Sequence, residues 1–356
     1  MIFISVRPRL APEGFLSAEY IVDYNHEIYS IGGYRSAQFS FISNEIDASR
    51  WARDGLAAKV VAKNEFGEKV WEGFVNSITI TSGRSTMEIG PVLDISNIVA
   101  VTYSTPSYEG LNISYQKKTA YKENSLSVER YGKMTKMVSG GERSDEDALA
   151  YRDKFLLDSS YPMVIDTSVE QNENIQTTIS VDCAGYTRLL ERTVYNYTLD
   201  KNKQSLVNKI NTVLDRVFFE GGRSINKNAT GMVDGWEDGD RDAWSVITSG
   251  IESSGMETET RKIVAGVYDG KFVLDFADIE TDMYTMDSVS GKIYRGGNKV
   301  RNSTLRPGMF MKSRNVSGNS AYYVESTSYS LTGDTVSTNK VKRSVQSVFK
   351  KVYGTF

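Results

Sequence analysis

The sequence has few of the side chains on which much of enzyme chemistry depends. Among 356 residues there is one cysteine, Cys183, and one histidine, His26. A single cysteine excludes an intramolecular disulfide and any zinc site built from several thiolates. A single histidine removes the commonest general base and every metal site with several histidine ligands. We therefore expect a protein that is not an enzyme and that needs no cofactor.

Long apolar runs and strong net charge are also missing. No run approaches the ~18 apolar residues that a membrane span requires, so we expect a soluble chain with no membrane partner. Arg7 and Arg9 follow a very short apolar run near the N-terminus, and we expect no secretory signal. The net charge of −3 is not typical of a nucleic-acid-binding protein. With 6 prolines beside 21 tyrosines and 29 glycines, the composition favours strands and turns.

The clearest pattern that is present runs over residues 59–80, KVVAKNEFGEKVWEGFVNSITI. It predicts a hairpin, because Gly67 can take the positive φ that closes a turn between two strands. The second strand has apolar residues on both faces, which indicates that it is covered on both sides. Gly73 in the middle of that strand predicts a bend or bulge. From 1 to about 100 we expect a β-barrel-like unit with one short helix.

Three longer helices are predicted further along the chain. The first spans 144–157, because Ser144 is a suitable N-cap, Asp147 stands at the capping-box position and acids fill the first turn. The second spans about 203–219, where apolar residues recur at helical spacing. The third spans about 241–251. Strands are predicted around these helices.

Short motifs for ligand binding are incomplete in this sequence. The run 238–242, DGDRD, has the carboxylate spacing that begins a calcium loop, but Ala243 and Ser249 stand where glycine and glutamate are needed. We prefer an acidic cap on the helix that follows. The glycine pairs do not form a dinucleotide or phosphate fingerprint, and they indicate turns and helix ends. They are Gly32-Gly33, Gly140-Gly141, Gly221-Gly222 and Gly296-Gly297.

Two basic clusters and a few single residues remain as candidates. The first cluster alternates with tyrosines that could stack on bases, and the second has no acids nearby. The first cluster contains Lys117, Lys118, Lys122, Arg130, Lys133 and Lys136. The second contains Lys340, Lys342, Arg343, Lys350 and Lys351. We prefer a solvated face or a patch that meets an acidic partner. Cys183 is expected in the core and His26 at the surface, and no local motif selects a carboxylate pair for sugar hydrolysis.

The order of these elements resembles that of phage tail hub proteins. The first part of the resemblance is a strand with a glycine pair, a short helix, and a hairpin whose second strand carries Trp71, Glu72 and Gly73. Short stretches along most of the chain follow the same order. They lie at 29–41, 51–55, 60–61, 70–73, 97–103, 125–132, 144–153, 183–186, 244–247, 265–270 and 305–308.

The resemblance implies an α+β, mainly β fold, with two tube-like β-barrel domains, a few amphipathic helices and an intervening insertion. We expect the first barrel at 1–100, the intervening segment at 101–170 and the second barrel at 171–356. It also implies a virion structural protein, made in the host cytoplasm, that forms a ring at the tail tip or baseplate. A homotrimer would place six similar domains around a channel, and a slightly acidic lining would let DNA pass without sticking.

The implied partners are further copies of this chain, a tail tube or distal tail protein on one side, and a spike, tip or tape-measure protein on the other. Candidate interface residues are Trp71, Phe74, Val75, Lys342 and Arg343. Two alternatives stay open within the tail. One is a hexameric distal tail ring, and the other is a tail-tip module that binds a host glycan through the tyrosine-rich stretch 103–136. A wall-degrading hydrolase is the remaining alternative.

Overall fold

The computed structural model describes residues 2–11, 13–167, 176–195, 203–217, 219, 221–233, 241–258, 260–287, 292–300, 306–313, 321–332 and 349–351. In these residues the chain is an α+β protein dominated by strands, and its largest sheet curls into a half-barrel. The predicted fold class is therefore confirmed.

Strands occur along the whole described chain. Those of the first half are β1 (Ile2–Arg7), β2 (Ile21–Tyr29), β3 (Gly33–Ser43), β4 (Lys59–Asn64), β5 (Lys69–Ser82), β6 (Ser85–Ile89), β7 (Ile98–Glu109), β8 (Asn112–Glu123), β9 (Thr135–Glu142), β10 (Val164–Thr167) and β11 (Thr177–Ala184). Those of the second half are β12 (Val194–Tyr195), β13 (Gln204–Ser205), β14 (Gly222–Ile225), β15 (Met232–Val233), β16 (Arg241–Asp242), β17 (Arg261–Tyr268), β18 (Lys271–Asp278), β19 (Met283–Met286), β20 (Ile293–Arg295), β21 (Asn298–Val300), β22 (Phe310–Ser313), β23 (Ala321–Val324), β24 (Ser326–Thr332) and β25 (Phe349–Lys351).

The described residues also form six α-helices and one 3-10 turn, Val92–Asp94. The helices are α1 (Glu45–Asp54), α2 (Ser125–Tyr131), α3 (Asp145–Ser159), α4 (Thr187–Arg192), α5 (Leu206–Arg216) and α6 (Ala243–Ser253).

The predicted start of the first long helix matches its cap. The Ser144 side chain accepts a hydrogen bond from the Asp147 amide at the start of α3. Helix α5 begins later than predicted, because Gln204–Ser205 pairs as a strand with Met232–Val233 and Ser205 then caps the helix.

The main sheet has nine strands and is assembled from distant parts of the sequence. Its path is β1-β4-β5-β11-β3-β2-β24, with β6 and β10 branching from β5. Strand β11 lies between β5 and β3 and pairs with both along its whole length. Both β11 and β24 come from the region beyond residue 171, so this sheet does not end at the domain seam that we expected there.

Strand β5 is covered on both faces, as its sequence predicts. All six residues from Val70 to Val75 are buried. The bulges, however, fall at Val70 and Asn76, where the pairing with β4 and with β11 shifts by one residue. Gly73 serves a different purpose, because a Cβ there would stand 2.2 Å from the Ala184 carbonyl oxygen. The glycine allows β5 and the end of β11 to approach closely.

Helix α1 and the dry face of the sheet form the first core. The Trp51 ring packs on Phe39 and Phe41, with centroid distances of 6.1 and 5.3 Å, and its Nε1 donates to the Ser17 carbonyl oxygen at 2.7 Å. Val181 and Ile78 complete this side of the sheet. The polar tip of the indole is thus satisfied inside an otherwise apolar cluster.

Residues 98–159, which lie between β6 and β10 in the sequence, form a separate small unit. Strands β8, β7 and β9 make a three-stranded sheet, and helix α3 packs on it through Ala148 and Leu156. The β7–β8 hairpin continues past the last β9 pairing, which joins Ser104 to Glu142. Its tip therefore has two strands only and carries exposed Tyr108, Leu111 and Ile113.

The C-terminal part contains a second core and a six-stranded sheet. Helices α5 and α6 pack with the β17–β18 hairpin around Ile247, Phe272 and Leu274. The six-stranded sheet follows the order β21-β20-β19-β22-β23-β25. Only Glu325 separates β23 of this sheet from β24 of the nine-stranded sheet. Whether this part is a second tube-like domain stays a prediction.

Replacing Gly73 by alanine will destabilise the fold more than replacing a glycine in an open turn. The new Cβ would stand 2.2 Å from Ala184 O and 2.4 Å from Trp71 Cη2, and the backbone oxygen cannot rotate away. We expect a loss of about 3 kcal/mol in the free energy of unfolding. Gly67→Ala is the matched control, because φ is +77° but nothing lies within 4 Å, and it should cost about 1 kcal/mol. Equal losses in urea denaturation would contradict this assignment.

Candidate functional site

Three of the predicted interface residues lie inside the chain. Trp71, Phe74 and Val75 have 0%, 3% and 0% of their surface exposed. Phe74 packs on Tyr186 of the same chain, with ring centroids 5.6 Å apart. The second apolar face of β5 is thus covered from within, and these side chains are not available to a neighbouring copy. Lys342 and Arg343 lie outside the described residues.

The outward face of the nine-stranded sheet is a regular surface. On β2, β3 and β11 alternate residues turn away from the core, and most of them are polar, although Ile42 of β3 is also exposed. One cross-strand row contains Asn25, Gln38, Asp182 and Ser77, which are register partners on β2, β3, β11 and β5. The next row contains Asp23, Ser40, Ser180 and Thr79. This face is therefore exposed to solvent, while the opposite face packs in the core.

Hydrogen bonds along the first row hold its side chains to one another. Gln38 Nε2 donates to Asp182 Oδ1 at 2.6 Å, and Ser77 Oγ donates to Asp182 Oδ2 at 3.1 Å. Asn25 Nδ2 donates to Gln38 Oε1 at 3.4 Å. Because these groups satisfy one another, the row offers few unpaired donors to a passing molecule.

The charge on this polar face is negative. Asp23, Glu27, Glu88 and Asp182 are exposed there. Strands β2, β6, β10, β11 and β24 contain no lysine or arginine. Arg35 lies at a bulge near one end of β3 and forms an ion pair with Glu191. We name this surface, on β2, β3, β11, β24, β6 and residues 77–81 of β5, the acidic sheet face.

A groove of about 540 Å³ lies where the main sheet, the α2–β9 segment and the helical part meet. Apolar and aromatic side chains line most of it. They are Phe74, Tyr131, Met134, Tyr186, Leu189, Leu190, Val217, Phe219 and Val267. The groove depends on the folded chain, since residues from 7 to 270 contribute to it, and no local motif could have revealed it.

Among the described residues that line this groove, all the charged ones are cations. They are Arg7, Arg9, Lys59 and Lys133. Lys59 pairs at 2.6 Å with Glu72, whose side chain is fully buried beneath. The Arg7 guanidinium lies 4.8 Å from the Phe15 ring centroid, and Arg9 Nε donates to the Glu129 carbonyl oxygen. In the described part of the chain, no carboxylate pairs with either arginine. We name this site the basic groove.

Two of the six cations in the first predicted basic cluster are neutralised inside the chain. Lys118 and Lys122 pair with Asp145 and Asp153 of α3 at 2.8 and 2.7 Å. Tyr131, which we considered for base stacking, is buried. These pairs favour the solvated-face interpretation of the cluster. In the second cluster, residues 340–343 lie outside the described residues.

The remaining candidate residues cap a helix or lie in the core. Asp242 caps α6 by accepting from the Ser245 amide at 2.7 Å, as the cap interpretation predicts, and 238–240 lie outside the described residues. Cys183 is buried in the core, as predicted, and burial raises the pKa of its thiol. Within the described ranges no three His, Cys, Asp or Glu side chains cluster to hold a metal ion. No helix there is long and apolar enough to cross a bilayer.

The prediction of a surface position for His26 is wrong. Only 7% of the residue is exposed, Tyr24 Oη lies 2.9 Å from its Nδ1, and the Tyr329 ring of β24 stacks on it at 5.4 Å. Burial lowers the pKa of His26 to about 3. The imidazole is therefore neutral at the junction between β2 and β24.

His26 should make the fold sensitive to acid. Below pH 6.5 the unfolded chain binds a proton that the folded chain takes up only near pH 3, so stability falls between these values. The slope is at most about 1.4 kcal/mol per pH unit. His26→Asn keeps an acceptor for Tyr24 and should lose this part of the slope. Urea denaturation of both proteins at pH 7, 5.5 and 4.5 measures it, and parallel curves would refute the assignment.

Comparisons with known proteins give similarity in structure alone. No protein-family model and no curated protein matches the sequence. A tail protein from Neisseria meningitidis MC58 is similar at TM-score 0.46 and 7% identity, over 93% of this chain and 92% of that one. The 43 kDa tail protein of prophage MuSo2 from Shewanella oneidensis is similar at TM-score 0.41 and 7% identity, over 92% of each chain.

Proposed function

We propose that this chain is a structural subunit of a phage tail tip or baseplate hub. Copies form a closed ring that continues the tail tube, and the acidic sheet face lines the channel through which DNA passes. The observation that carries the proposal is the wet, acidic face of a curled nine-stranded sheet whose other face is packed. The order of sequence motifs, which resembles that of tail hub proteins, supports the same assignment.

The chemistry of the acidic sheet face suits passage of DNA better than binding of DNA. Proteins hold the phosphate backbone through lysine and arginine, which displace counterions. Here Asp23, Glu27 and Glu88 would repel phosphates, while Gln38 and Asp182 already satisfy each other. A polyanion would therefore slide past without a favourable stopping point.

Open strand edges favour assembly with neighbours. The sheet path ends at β1 and β24, and β10 ends its branch, so within the described residues no further strand extends the sheet there, although β1 forms one bridge, from Val6 to Leu16. Long unpaired edges attract other strands. Head-to-tail contacts that close by rotation produce rings. We propose a homotrimer in the virion, between a tail tube or distal tail protein and a spike, tip or tape-measure protein.

The copy number separates the hub from the distal tail ring. A hub of two tube-like domains per chain should assemble as a trimer, because six domains then surround the channel. Native mass spectrometry of the purified protein, and averaged images of particles, should both give three copies. Six copies would favour the hexameric distal tail ring instead.

A glycan-binding module is the second candidate, and the β7–β8 hairpin is the observation that favours it. Tyr108 and Tyr115 are 70% and 55% exposed on its two-stranded tip. Aromatic faces of this kind bind sugar rings as well as protein surfaces. Glycan-array binding that disappears when 106–115 is replaced by a two-residue turn would support this alternative.

Reversing charge on the acidic sheet face should impair DNA delivery and leave assembly intact. In Asp23→Lys/Glu27→Lys the channel would hold phosphates, and we expect infectivity to fall at least about tenfold with normal particle yield. Asp158→Lys, an exposed acid on α3, is the matched control. The measurement is complementation of a phage that lacks the chain, with particle counts and DNA release. Unchanged infectivity of the double variant would remove the channel assignment.

A further inference from the structure

The tip of the β7–β8 hairpin is an exposed apolar projection that no other element of the described chain covers. Past the last pairing with β9, residues 105–109 and their β8 partners extend roughly 17 Å from the three-stranded sheet. Pro106 lies opposite Tyr115, and Tyr108 lies opposite Ile113, so these four side chains share one face. Helix α3 packs on the other face of the unit. The apolar face of the tip is therefore left open to solvent.

A tight turn places Leu111 at the end of this tip. Glu109 and Asn112 are the last paired residues, which leaves a two-residue turn of Gly110 and Leu111. Gly110 has a φ of +64°, as the first position of such hairpin turns requires. Leu111 is 103% exposed, and Glu109 is the only charged residue between 104 and 116. The tip is therefore a narrow apolar projection with one negative charge.

A pocket of about 280 Å³ at the edge of the main sheet has the complementary shape. It lies where α1, the end of α2, the β6–β10 branch and residues 8–11 meet, and we name it the edge pocket. Its apolar lining comes from Leu10, Ala52, Leu56, Met87, Ile89 and Val164. Leu10 and Val164 are exposed, so the mouth of the pocket is apolar too. Because an apolar cavity of about 150 Å³ already holds benzene, the edge pocket has room for one large side chain.

The charge around the edge pocket is positive. Arg9, Arg53 and Arg130 line it beside one acid, Asp54. Arg53 forms an ion pair with Asp54 at 2.8 Å. Arg9 donates to the Glu129 carbonyl oxygen and Arg130 to that of Arg53, and neither has a carboxylate partner among the described residues. Two exposed arginines are therefore available to a carboxylate that arrives at the mouth.

We propose that the tip of the β7–β8 hairpin of one copy docks in the edge pocket of the next copy. Leu111 enters the pocket, and Glu109 pairs with Arg9 and Arg130 at its mouth. One contact thus covers two exposed apolar surfaces and matches their charges. It joins different surfaces of successive copies, which is the type of contact that closes into a ring. The inference rests on the proposed function and names the contact between its subunits.

Charge exchange tests the contact from both sides. Glu109→Arg brings three arginines together, and Arg130→Glu places a second acid beside Glu109. Each should therefore raise the dissociation constant of self-association at least about tenfold. The combined variant Glu109→Arg/Arg130→Glu restores an opposite pair and should recover most of the loss. Native mass spectrometry over a range of concentrations measures all three, and a combined variant that associates no better than the single ones would contradict the contact.

Leu111→Asp tests the apolar part of the contact. Because Leu111 is fully exposed, the change should leave the fold intact, and it places a carboxylate in an apolar pocket. We expect at least about a tenfold rise in the dissociation constant. Ile46→Asp is the matched control, since Ile46 is exposed in the first turn of α1, where an acid suits the helix start. Thermal unfolding checks every variant, and should Arg130→Glu misfold, Leu111→Asp decides.

Disulfide formation between copies identifies the contact directly. Cys183 is buried, so introduced cysteines supply the accessible thiols. Leu111→Cys/Leu10→Cys should give covalent dimers and trimers on mild oxidation, because the tip of one copy then meets the pocket mouth of the next. Leu111→Cys/Ile46→Cys is the control. Cross-linking no stronger than in this control would overturn the inference.

The outcomes separate the inference from the proposed function and from the glycan alternative. Where the wild type associates only in particles, particle yield in complementation replaces the dissociation constant. If Leu111→Asp assembles like the wild type, the contact is wrong but the ring stands. If it assembles normally and loses glycan binding, the tip is a glycan-binding site instead. If the wild type is monomeric both in solution and in particles, the ring itself is wrong and the contact falls with it.

Discussion

The unequal burial of the two faces of one sheet is the constraint on which the rest of this structure depends. Along β2, β3 and β11, alternate residues face either the Trp51 cluster or solvent. A register slip of one residue would place Phe39 and Val181 in water and Gln38 and Asp182 in the core. The apolar face therefore fixes the position of every polar side chain opposite. The acidic sheet face has a defined geometry because the core behind it does.

The same sheet explains why the chain resists division into consecutive domains. Strand β11 lies between β3 and β5 in the sheet. In the sequence, however, it follows the three-stranded unit of β7, β8 and β9. Close backbone approaches hold these pieces together. A Cβ on Gly73 would meet the Ala184 carbonyl, and one on Gly266 would stand 2.6 Å from the Gly33 nitrogen. Ser30 and Gly32 exchange hydrogen bonds with Ala265 at this second junction. Gly73, which we predicted as a bend or bulge, and Gly33, which we predicted in a turn, therefore lie at close approaches of the backbone.

The sequence predicted what is encoded locally. The caps at Ser144 and Asp242 and the doubly covered strand β5 were visible as short patterns, and the structure confirms them. Strand β8 was missed because its residues are almost all exposed, so no alternation marks it. The position of His26 was wrong because Tyr329, which covers it, comes from the far end of the chain. The basic groove could not be predicted either, because residues far apart in the sequence line it. The alternating polar residues of β2, β3 and β11 are a local signal for the acidic sheet face, but our sequence analysis did not select it.

The modest net charge of −3 hides a segregated distribution. One sheet face carries acids among uncharged polar side chains and has no lysine, whereas Arg7, Arg9, Lys59 and Lys133 gather around an apolar groove. Lys118 and Lys122 are neutralised by α3 and contribute to neither surface. Separation of this kind has a cost, because like charges repel within each surface. A chain that functioned alone would gain from interspersed charges. Segregated charge suits the proposed ring, in which one surface would have to repel a polyanion.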